Sequence, residues 1–445
     1  MRILIKNGTI INSDSTIVAD VLIENSKIFK IEENLVANSS SDKVIDAKDC
    51  FVIPGGIDPH VHMHLPSLAG YSADDFLSGS KAALHGGTTT LIDFVTPKKG
   101  QSLNEAIEQR KDEALESRTN TYFHVSPIEW RISMEDEIKN CFDSGFKSFK
   151  VYMAYKSSIG FNDDVLFNVM KAVGKAGGTI TVHCELGDDI EELRNKFAEE
   201  GKLTPEYHPL SRLPKFEAKA VKKAIELAKR ASCPIYIVHV STKESLIYIK
   251  QAQASGQAVI AETCPQYLLL DDSKYLGDFN QTAPYVMSPP LRKKADNNEL
   301  WKAIADGTIK TIGTDHCPFT LKQKENGKND FRSIPNGAGG VEHRLTLLYT
   351  YGVLTGKISI NQFVALTSTN TAKIFGLYPA KGIIAVGSDA DIVIWDKHKE
   401  KIISVKSHHS NCDINIYNGT KTVGLPKIVI KNGEIVVSND NEIIA

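Results

Sequence analysis

Two histidines separated by one residue, His60 and His62, are the first residues in the chain that could do chemistry. They follow an apolar run and a Pro-Gly-Gly break, which predict the end of a short buried strand. Because residues i and i+2 share a face of an extended chain, both imidazoles would meet at one point, and His64 could extend the row. Neutral imidazole is a common zinc ligand, so the pair indicates a metal site. A solvated turn is the alternative, and the spacing alone does not decide.

Similar residues lie at the ends of later apolar runs. Lys150 lies inside the run 148–153 with Tyr155 just beyond it, and His183, His239 and Asp315 each end a run of their own. If these runs are parallel barrel strands, their carboxyl ends face one mouth, where catalytic residues collect. One such histidine would usually be an ordinary hydrogen-bonding group, and a lone aspartate would often cap a helix. Together they favour a site.

Lys150 is the unusual member, because an ammonium inside an apolar strand is costly unless it is paired or neutralised. A desolvated lysine can act as a nucleophile, or it can react with carbon dioxide to give a carbamate. Two metal ions held by four histidines and one aspartate lack a bridging anion, and a carbamate on Lys150 would supply it. An ordinary ion pair between Lys150 and Asp315 is the simpler alternative.

The elements that must position these residues alternate between strand and helix in the middle of the chain, from about 53 to 376. A repeated β-then-α order predicts a parallel sheet, and eight units predict closure into a (β/α)8 barrel. A doubly wound open sheet is the alternative, but it would carry a Gly-rich loop directly after its first strand. In this sequence Gly86 and Gly87 come before the strand 88–95 instead, which favours the barrel. The predicted strands are 51–57, 88–95, 122–126, 148–153, 179–184, 235–240, 258–261 and 310–314, with helices at 102–117, 164–176, 215–231 and 243–254.

Both ends of the chain consist of short alternating segments separated by Asn-Gly and similar turns. Neither end alone has enough strands to bury a face well. The sequence therefore predicts an α/β protein with a barrel at 53–376 and one small β-sandwich domain formed by residues 1–52 and 377–445. Separate terminal modules are the alternative. The terminal strands are predicted at 2–6, 9–11, 19–24, 27–32, 43–45, 389–396, 401–405 and 426–437.

Composition excludes several classes of function. The 445 residues include 52 Lys and Arg against 54 Asp and Glu, a net charge of -2 that gives no reason to expect a nucleic acid or an anionic membrane as partner. No apolar run approaches the ~18 residues of a membrane helix. The seven cysteines are scattered and form no C-x-x-C pair, which predicts reduced thiols and a cytoplasmic protein.

The motifs resemble those of the cyclic amidohydrolases, and most closely the dihydropyrimidinase/D-hydantoinase group. The resemblance covers nearly the whole chain, and its motifs are specific only in combination. They are the segments Pro54–His62, Ser148–Tyr155, Val182–Glu185, Tyr236–Val240, Glu262–Tyr267, Ser288–Arg292, Thr314–Pro318, Ile334–Gly337 and Gly382–Ile394.

The resemblance implies a centre of two divalent ions, expected to be Zn2+. It assigns His60, His62 and Asp315 to one ion and His183 and His239 to the other, with N6-carboxylated Lys150 as the bridge. A hydroxide between the ions would be the nucleophile, and Asp315 would act as general base and then as general acid. The Tyr155 hydroxyl would stabilise the oxyanion, and Ser288 and Asn336 would hydrogen-bond a cyclic ureide, largely through backbone groups.

The same resemblance implies ring opening of 5,6-dihydropyrimidines or 5-substituted hydantoins to N-carbamoyl amino acids. Dihydroorotase-like sequences carry an arginine soon after the His-x-His pair, but here Met63–Ser67 contains none, which disfavours an acidic substrate. Leu65, Phe94 and the segment 156–161 correspond to positions that face the ring substituent and predict a partly apolar pocket. An allantoinase- or dihydroorotase-like activity is the alternative. A deaminase would lack Lys150, and a non-catalytic scaffold would have lost metal ligands.

The resemblance also implies a homotetramer. Relatives often continue beyond the last hairpin into a basic tail that contributes to subunit contacts, whereas this sequence ends with residues 439–445. A dimer is therefore the alternative expectation.

Overall fold

Eight parallel strands form the centre of the molecule, and their order in the sheet follows their order in the sequence. The computed structural model describes residues 2–37, 42–438 and 441–442. The predicted α/β barrel is confirmed. The strands are Gly56–Asp58, Thr88–Val95, Asn120–Val125, Ser148–Tyr152, Thr179–His183, Ile235–Ile237, Val259–Thr263 and Thr311–Ile312.

The barrel is closed by the residues that follow its first and last strands. The backbone N–H of Asp315 donates to the carbonyl of His60 over 2.9 Å, and Val61 forms a parallel bridge with His316. Behind them, the Asp58 carboxylate accepts from the backbone of both His60 and Thr314, each over 3.1 Å. The seam of the barrel is thus built from the same segments that carry the candidate metal ligands.

Helices surround the barrel, and their sequences explain where they begin and end. Ser102 and Glu105 form a capping box at the start of Leu103–Glu113, and Gly177, with φ of +86°, ends Asp163–Ala176. Helix Pro214–Arg230 starts with proline at its first turn and buries one apolar face. The other long helices are Phe76–His85, Met134–Asp143, Gly187–Glu199, Lys243–Ala254 and Lys294–Ala305.

Shorter elements cover the rim and the far side of the barrel. A two-stranded hairpin, Pro66–Ser67 with Gly70–Tyr71, follows the His-x-His segment. Short α-helices are Tyr207–Ser211, Pro265–Leu269, Phe279–Thr282, Leu321–Lys324, Arg344–Leu348, Ile360–Val364 and Asn370–Ile374. Two π-helical segments are Tyr349–Val353 and Ala365–Thr369. Short 3-10 helices are Ala114–Glu116, Asp272–Tyr275, Ala283–Tyr285, Glu325–Gly327 and Phe331–Ser333.

The apolar run 51–57, predicted as one strand, is in fact two. Phe51–Pro54 pairs antiparallel with Ile392–Ile402 near the end of the chain, and Gly56–Asp58 is the first barrel strand. Gly55 lies between them, and its N–H donates to the carbonyl of Asp391 over 2.8 Å. The periodicity could not reveal this switch, because both strands are buried and apolar.

The two ends of the chain form two sheets that share one apolar core. One sheet has the order Lys27–Glu32, Asp20–Glu24, Arg2–Lys6, Lys43–Asp46; the other has the order Asn441–Glu442, Glu434–Ser438, Lys421–Lys431, Ile392–Ile402, Phe51–Pro54, Thr9–Ile11, Thr16–Val18. Ile3 and Ile5 from the first pack in a cluster with Ile392 and Ile430 from the second. The expected sandwich of both termini is therefore present, while the boundaries at 52/53 and 376/377 stay predictions.

Near the end of the chain, the predicted strands between 389 and 405 differ from the structure, and most of the tail 439–445 cannot be compared with it. The segments 389–396 and 401–405 were predicted as separate strands, but residues 392–396 and 401–402 lie on the single strand Ile392–Ile402, and 403–405 lie beyond its end. The register of this strand against its neighbour shifts between Asp396 and Glu400. The tail 439–445 lies outside the described residues except for Asn441–Glu442.

All seven cysteines are buried, and none of them is paired with another. Within the described ranges, no helix is long and apolar enough to cross a membrane.

Candidate metal centre

His60, His62 and Asp315 converge at the seam of the barrel. Their ligand atoms lie within 4.8 Å of one another, and each imidazole Nε2 is 3.1 Å from Asp315 Oδ1. His60 is buried, and the side chains of His62 and Asp315 are only slightly exposed. The arrangement brings two nitrogens and one carboxylate oxygen together, a donor set that suits zinc.

Glu262, on the seventh strand, supports this group from behind. It accepts from His60 Nδ1 over 2.8 Å and from the backbone N–H of His239 over 3.1 Å. Burial acts to lower the pKa of His60, but the charges of Asp315 and Glu262 outweigh it and raise the pKa to about 9. A field that holds a proton on this imidazole also favours a metal cation.

His183 and His239 form a second group on the neighbouring strands. Nδ1 of His183 lies 2.9 Å from Nε2 of His239, and Nε2 of His183 is held by Glu185 over 3.0 Å. Burial lowers the pKa of both histidines, so they are neutral and able to ligate a metal. The rings of His60 and His239 stack with centroids 5.4 Å apart, which brings the two groups into one site.

Arg212 compensates the charge of Glu185. Its guanidinium donates to Glu185 over 2.5 Å, and both side chains are buried. Burial acts to raise the pKa of Glu185, but Arg212 and then His183 outweigh it and lower the pKa to about 2. The carboxylate is therefore ionised and fixes the orientation of the His183 ring.

Lys150 is buried inside the barrel between aromatic rings. Its Nζ lies 5.0 Å from the ring centroid of Phe94 and 5.2 Å from that of Tyr152. Phe94 also stacks on His62 at 4.6 Å, so the amine is close to the histidines. Burial lowers the pKa of Lys150 to about 8. No ion pair of Lys150 is found in the described part of the chain, because Asp315 pairs with the histidines instead.

Tyr155, Ser288 and Asn336 lie on loops around the same mouth. The Tyr155 ring is 5.4 Å from that of His183, and burial raises the pKa of its hydroxyl. The neighbouring Ser288 hydroxyl acts against this rise in pKa, although the two hydroxyls do not meet the distance and angles of a hydrogen bond. Within the part of the chain that the structure describes, the buried atoms Ser288 Oγ and Asn336 Oδ1 have no hydrogen-bond partner. Buried polar atoms without partners are rare, so a polar ligand is expected to complete them.

The backbone is unusual at several of these positions. Strand six ends at Ile237 and strand eight at Ile312, earlier than predicted. His239 and Asp315 follow with φ of +39° and +53°, and Tyr155 has φ of +60°. Left-handed backbone at residues other than glycine costs energy and is often found at functional sites. Here it turns side chains that lie beyond the strands back towards the mouth.

His64 does not join the cluster. Its ring stacks on Tyr71 of the rim hairpin, with centroids 3.9 Å apart. The backbone N–H of the next residue, Leu65, donates to Ser72 Oγ over 2.9 Å. The segment after His62 is thus a structured loop.

Sequence reasoning missed the carboxylates that support the histidines. Glu262 and Glu185 received no role, although two signals were available. Glu185 stands at i+2 from His183, and Glu262 is the polar residue near the carboxyl end of a strand for which no rim residue was predicted.

Comparison with known proteins agrees with this geometry. The Amidohydrolase family model matches residues 51–436. The chain is 44% identical to a D-hydantoinase of Geobacillus stearothermophilus, over 98% of this chain and 93% of the relative. It is 40% identical to a dihydropyrimidinase of Rattus norvegicus, over 98% and 85%. The crystal structure of a dihydropyrimidinase from Brevibacillus agri superposes with a TM-score of 0.97 at 40% identity, covering 100% of this chain and 96% of that one.

Proposed function

Because the chain belongs to the amidohydrolase family and is a hydrolase of the dihydropyrimidinase/hydantoinase type, we propose that it opens cyclic ureides. The substrates would be 5,6-dihydropyrimidines or 5-substituted hydantoins, and the products N-carbamoyl amino acids. The observation that carries the proposal is the convergence of His60, His62 and Asp315 at the barrel mouth, next to His183 and His239.

The residues present fit a centre of two divalent ions. His60, His62 and Asp315 would hold one ion, and His183 and His239 the other. Imidazole and carboxylate donors suit zinc. Bound ions of this kind lower the pKa of a water molecule and polarise the carbonyl to be attacked.

Lys150 would supply the anion that the two ions share. Its amine would add to carbon dioxide and release one proton, giving a carbamate with two oxygens. The lowered pKa of Lys150 and its lack of an ion pair with any described residue support this role, since a carbamate forms from the neutral amine.

The chain's own groups would carry the proton transfers. The carboxylate of Asp315 is ionised. Burial acts to raise its pKa, but the charges of His60 and His62 and their hydrogen bonds outweigh this effect and hold the pKa well below the usual range. It would accept the proton of the attacking water and then deliver it to the ring nitrogen that leaves. The Tyr155 hydroxyl would donate a hydrogen bond to the oxyanion of the tetrahedral intermediate. Ser288 and Asn336 would hold the ureide.

The surroundings of the mouth favour a neutral substrate. Arg212 approaches Tyr155, with its Cζ 5.7 Å from the ring centroid, but its charge is taken up by Glu185. Phe94 offers an aromatic wall beside His62. Hydrogen bonding to the ureide together with an apolar wall fits a dihydropyrimidine or hydantoin better than a carboxylate-bearing ring.

A substrate panel tests this proposal most directly. Metal-replete enzyme is offered 5,6-dihydrouracil, several 5-substituted hydantoins, allantoin and dihydroorotate, and N-carbamoyl products are measured. Turnover of the first two classes is expected. Turnover of only allantoin or dihydroorotate would replace the substrate class, and no turnover by metal-loaded protein would reject the function. The homotetramer, or alternatively dimer, stays a prediction that light scattering can test.

A further inference from the structure

Lys324 is a buried lysine that belongs to none of the groups described above, and it forms no ion pair with a carboxylate of the described residues. It ends the short helix Leu321–Lys324, and its side chain is almost fully inaccessible. Its Nζ donates to three backbone carbonyls, those of Val286 over 2.9 Å, Pro335 over 2.7 Å and Gly337 over 2.8 Å. An ammonium has three N–H bonds, so all of them are used.

This arrangement is costly for the fold. A buried charge is normally paired, yet no ion pair of Lys324 occurs among residues 2–37, 42–438 and 441–442. Burial lowers the pKa of Lys324 to about 7. An apolar side chain would fill the same space without the loss of hydration, so a role other than filling the core is indicated.

The three carbonyls belong to the two segments that carry Ser288 and Asn336. Val286 lies two residues before Ser288, and Pro335 and Gly337 lie on either side of Asn336. The Val286 carbonyl also accepts from the N–H of Gly337 over 3.0 Å, so the segments are joined directly and through Lys324. Each segment presents a buried polar atom, Ser288 Oγ or Asn336 Oδ1, that has no hydrogen-bond partner among the described residues.

Other contacts hold this junction from the remaining sides. The ring of His208 hydrogen-bonds the carbonyl of Met287 through Nε2 over 2.8 Å. Gly337 has φ of +147°, and a Cβ there would lie 2.3 Å from the carbonyl oxygen of Cys317, two residues after Asp315. The spacing between the two segments is therefore closely determined, with Lys324 between them.

We propose that Lys324 is a positioning residue, which sets the separation of segments 286–288 and 335–337 so that both bind the substrate together. The inference rests on the proposed function, because it takes the bound molecule to be a cyclic ureide. It predicts an effect on substrate binding rather than on the chemical step, since Lys324 contacts none of the candidate metal ligands.

The test compares Lys324→Met with Lys322→Met, a matched control in the same helix. The Lys322 side chain is 90% exposed, and its ion pair is with Glu325. The metal-loaded wild type and both variants are assayed for KM and kcat with 5,6-dihydrouracil, for metal content and for thermal stability. Lys324→Met is expected to raise KM about tenfold or more, to leave kcat within about threefold, and to keep its metal. Lys322→Met is expected to change none of these.

Lys324→Gln gives a second reading, because its amide keeps two N–H donors. Its KM is expected to lie between those of the wild type and Lys324→Met. An unchanged KM in folded Lys324→Met, or a loss of kcat and metal together, would overturn the proposal. If neither Lys324→Met nor Lys324→Gln folds, the proposal is also overturned, because Lys324 would then be required for folding itself. Lack of turnover by the wild type would instead reject the proposed function.

Discussion

The barrel mouth has two faces that differ in how fully the polar groups of their side chains are hydrogen-bonded. The ligand face consists of His60, His62, His183, His239 and Asp315, and the carboxylates Glu262 and Glu185 already orient two of its imidazoles. The ureide face, named after the proposed substrate, consists of Tyr155, Ser288 and Asn336, and among the described residues Ser288 Oγ and Asn336 Oδ1 have no hydrogen-bond partner. The difference indicates that the fold itself orients the imidazoles of the ligand face, whereas on the ureide face it leaves two buried polar atoms available to a ligand. Substitutions on the two faces should therefore have separable effects.

The largest effect is expected from Asp315→Asn on the ligand face. The amide keeps the shape of the side chain but cannot accept the proton of water, so kcat should fall roughly 10^3-fold. Steady-state kinetics with metal-loaded enzyme measures this, and circular dichroism shows whether the variant is folded. Activity within tenfold of the wild type would remove Asp315 from its assigned role.

Tyr155→Phe tests the ureide face. Loss of one hydroxyl donor to the oxyanion should lower kcat roughly 10^2-fold. The bound metal should remain at the wild-type level, because Tyr155 is not among the proposed ligands. Elemental analysis beside the kinetic assay tells an effect on catalysis from an effect on metal binding. Loss of metal in Tyr155→Phe would contradict the separation of the two faces.

Glu262→Gln tests whether the ligand face depends on its supporting carboxylates. Without the negative charge behind His60, metal affinity should fall roughly tenfold or more. Competition with a chelator of known affinity measures the change. Activity should recover at high metal concentration, whereas equal affinity in variant and wild type would show that Glu262 only supports the fold.

The smallest effect on function is expected at Glu342, a buried carboxylate that belongs to neither face. Burial acts to raise its pKa, but the hydrogen bond from His409 and the charge of His343 outweigh it and lower the pKa to about 2. A lowered pKa adds stability that is present above the ordinary value near 4.5 and is lost as the pH falls towards 2.

The wild type should therefore lose roughly 2 kcal/mol more than Glu342→Gln in free energy of unfolding between pH 6 and pH 3. Urea unfolding at several pH values measures this difference. The exposed Glu116→Gln serves as control and should follow the wild type. If the free energy of unfolding falls by the same amount in the wild type and in Glu342→Gln between pH 6 and pH 3, the assignment of a lowered pKa to Glu342 is contradicted.

The ligand face could be predicted from sequence because parallel strands bring their carboxyl ends to one mouth. Strand Thr88–Val95 and helix Lys243–Ala254 were predicted with the bounds that the structure has. His183 ends its strand as expected. His239 and Asp315 lie beyond theirs on left-handed backbone, a turn that no periodic pattern encodes.

The ureide face could not be predicted in this way. Ser288 and Asn336 lie on irregular loops far apart in sequence, and only the family resemblance drew attention to them. Their approach depends on tertiary contacts, such as those of Lys324 with three carbonyls. The split of 51–57 was missed for a related reason, because its first half pairs with a strand more than 300 residues later.

The central claim is a centre of two metal ions that requires Lys150, and metal content per chain tests it most directly. Elemental analysis of active wild-type enzyme should give about two divalent ions per chain. Lys150→Ala should lose metal and activity together, and added short carboxylates should restore part of both. Active wild type without bound metal, or full activity in Lys150→Ala, would contradict the account.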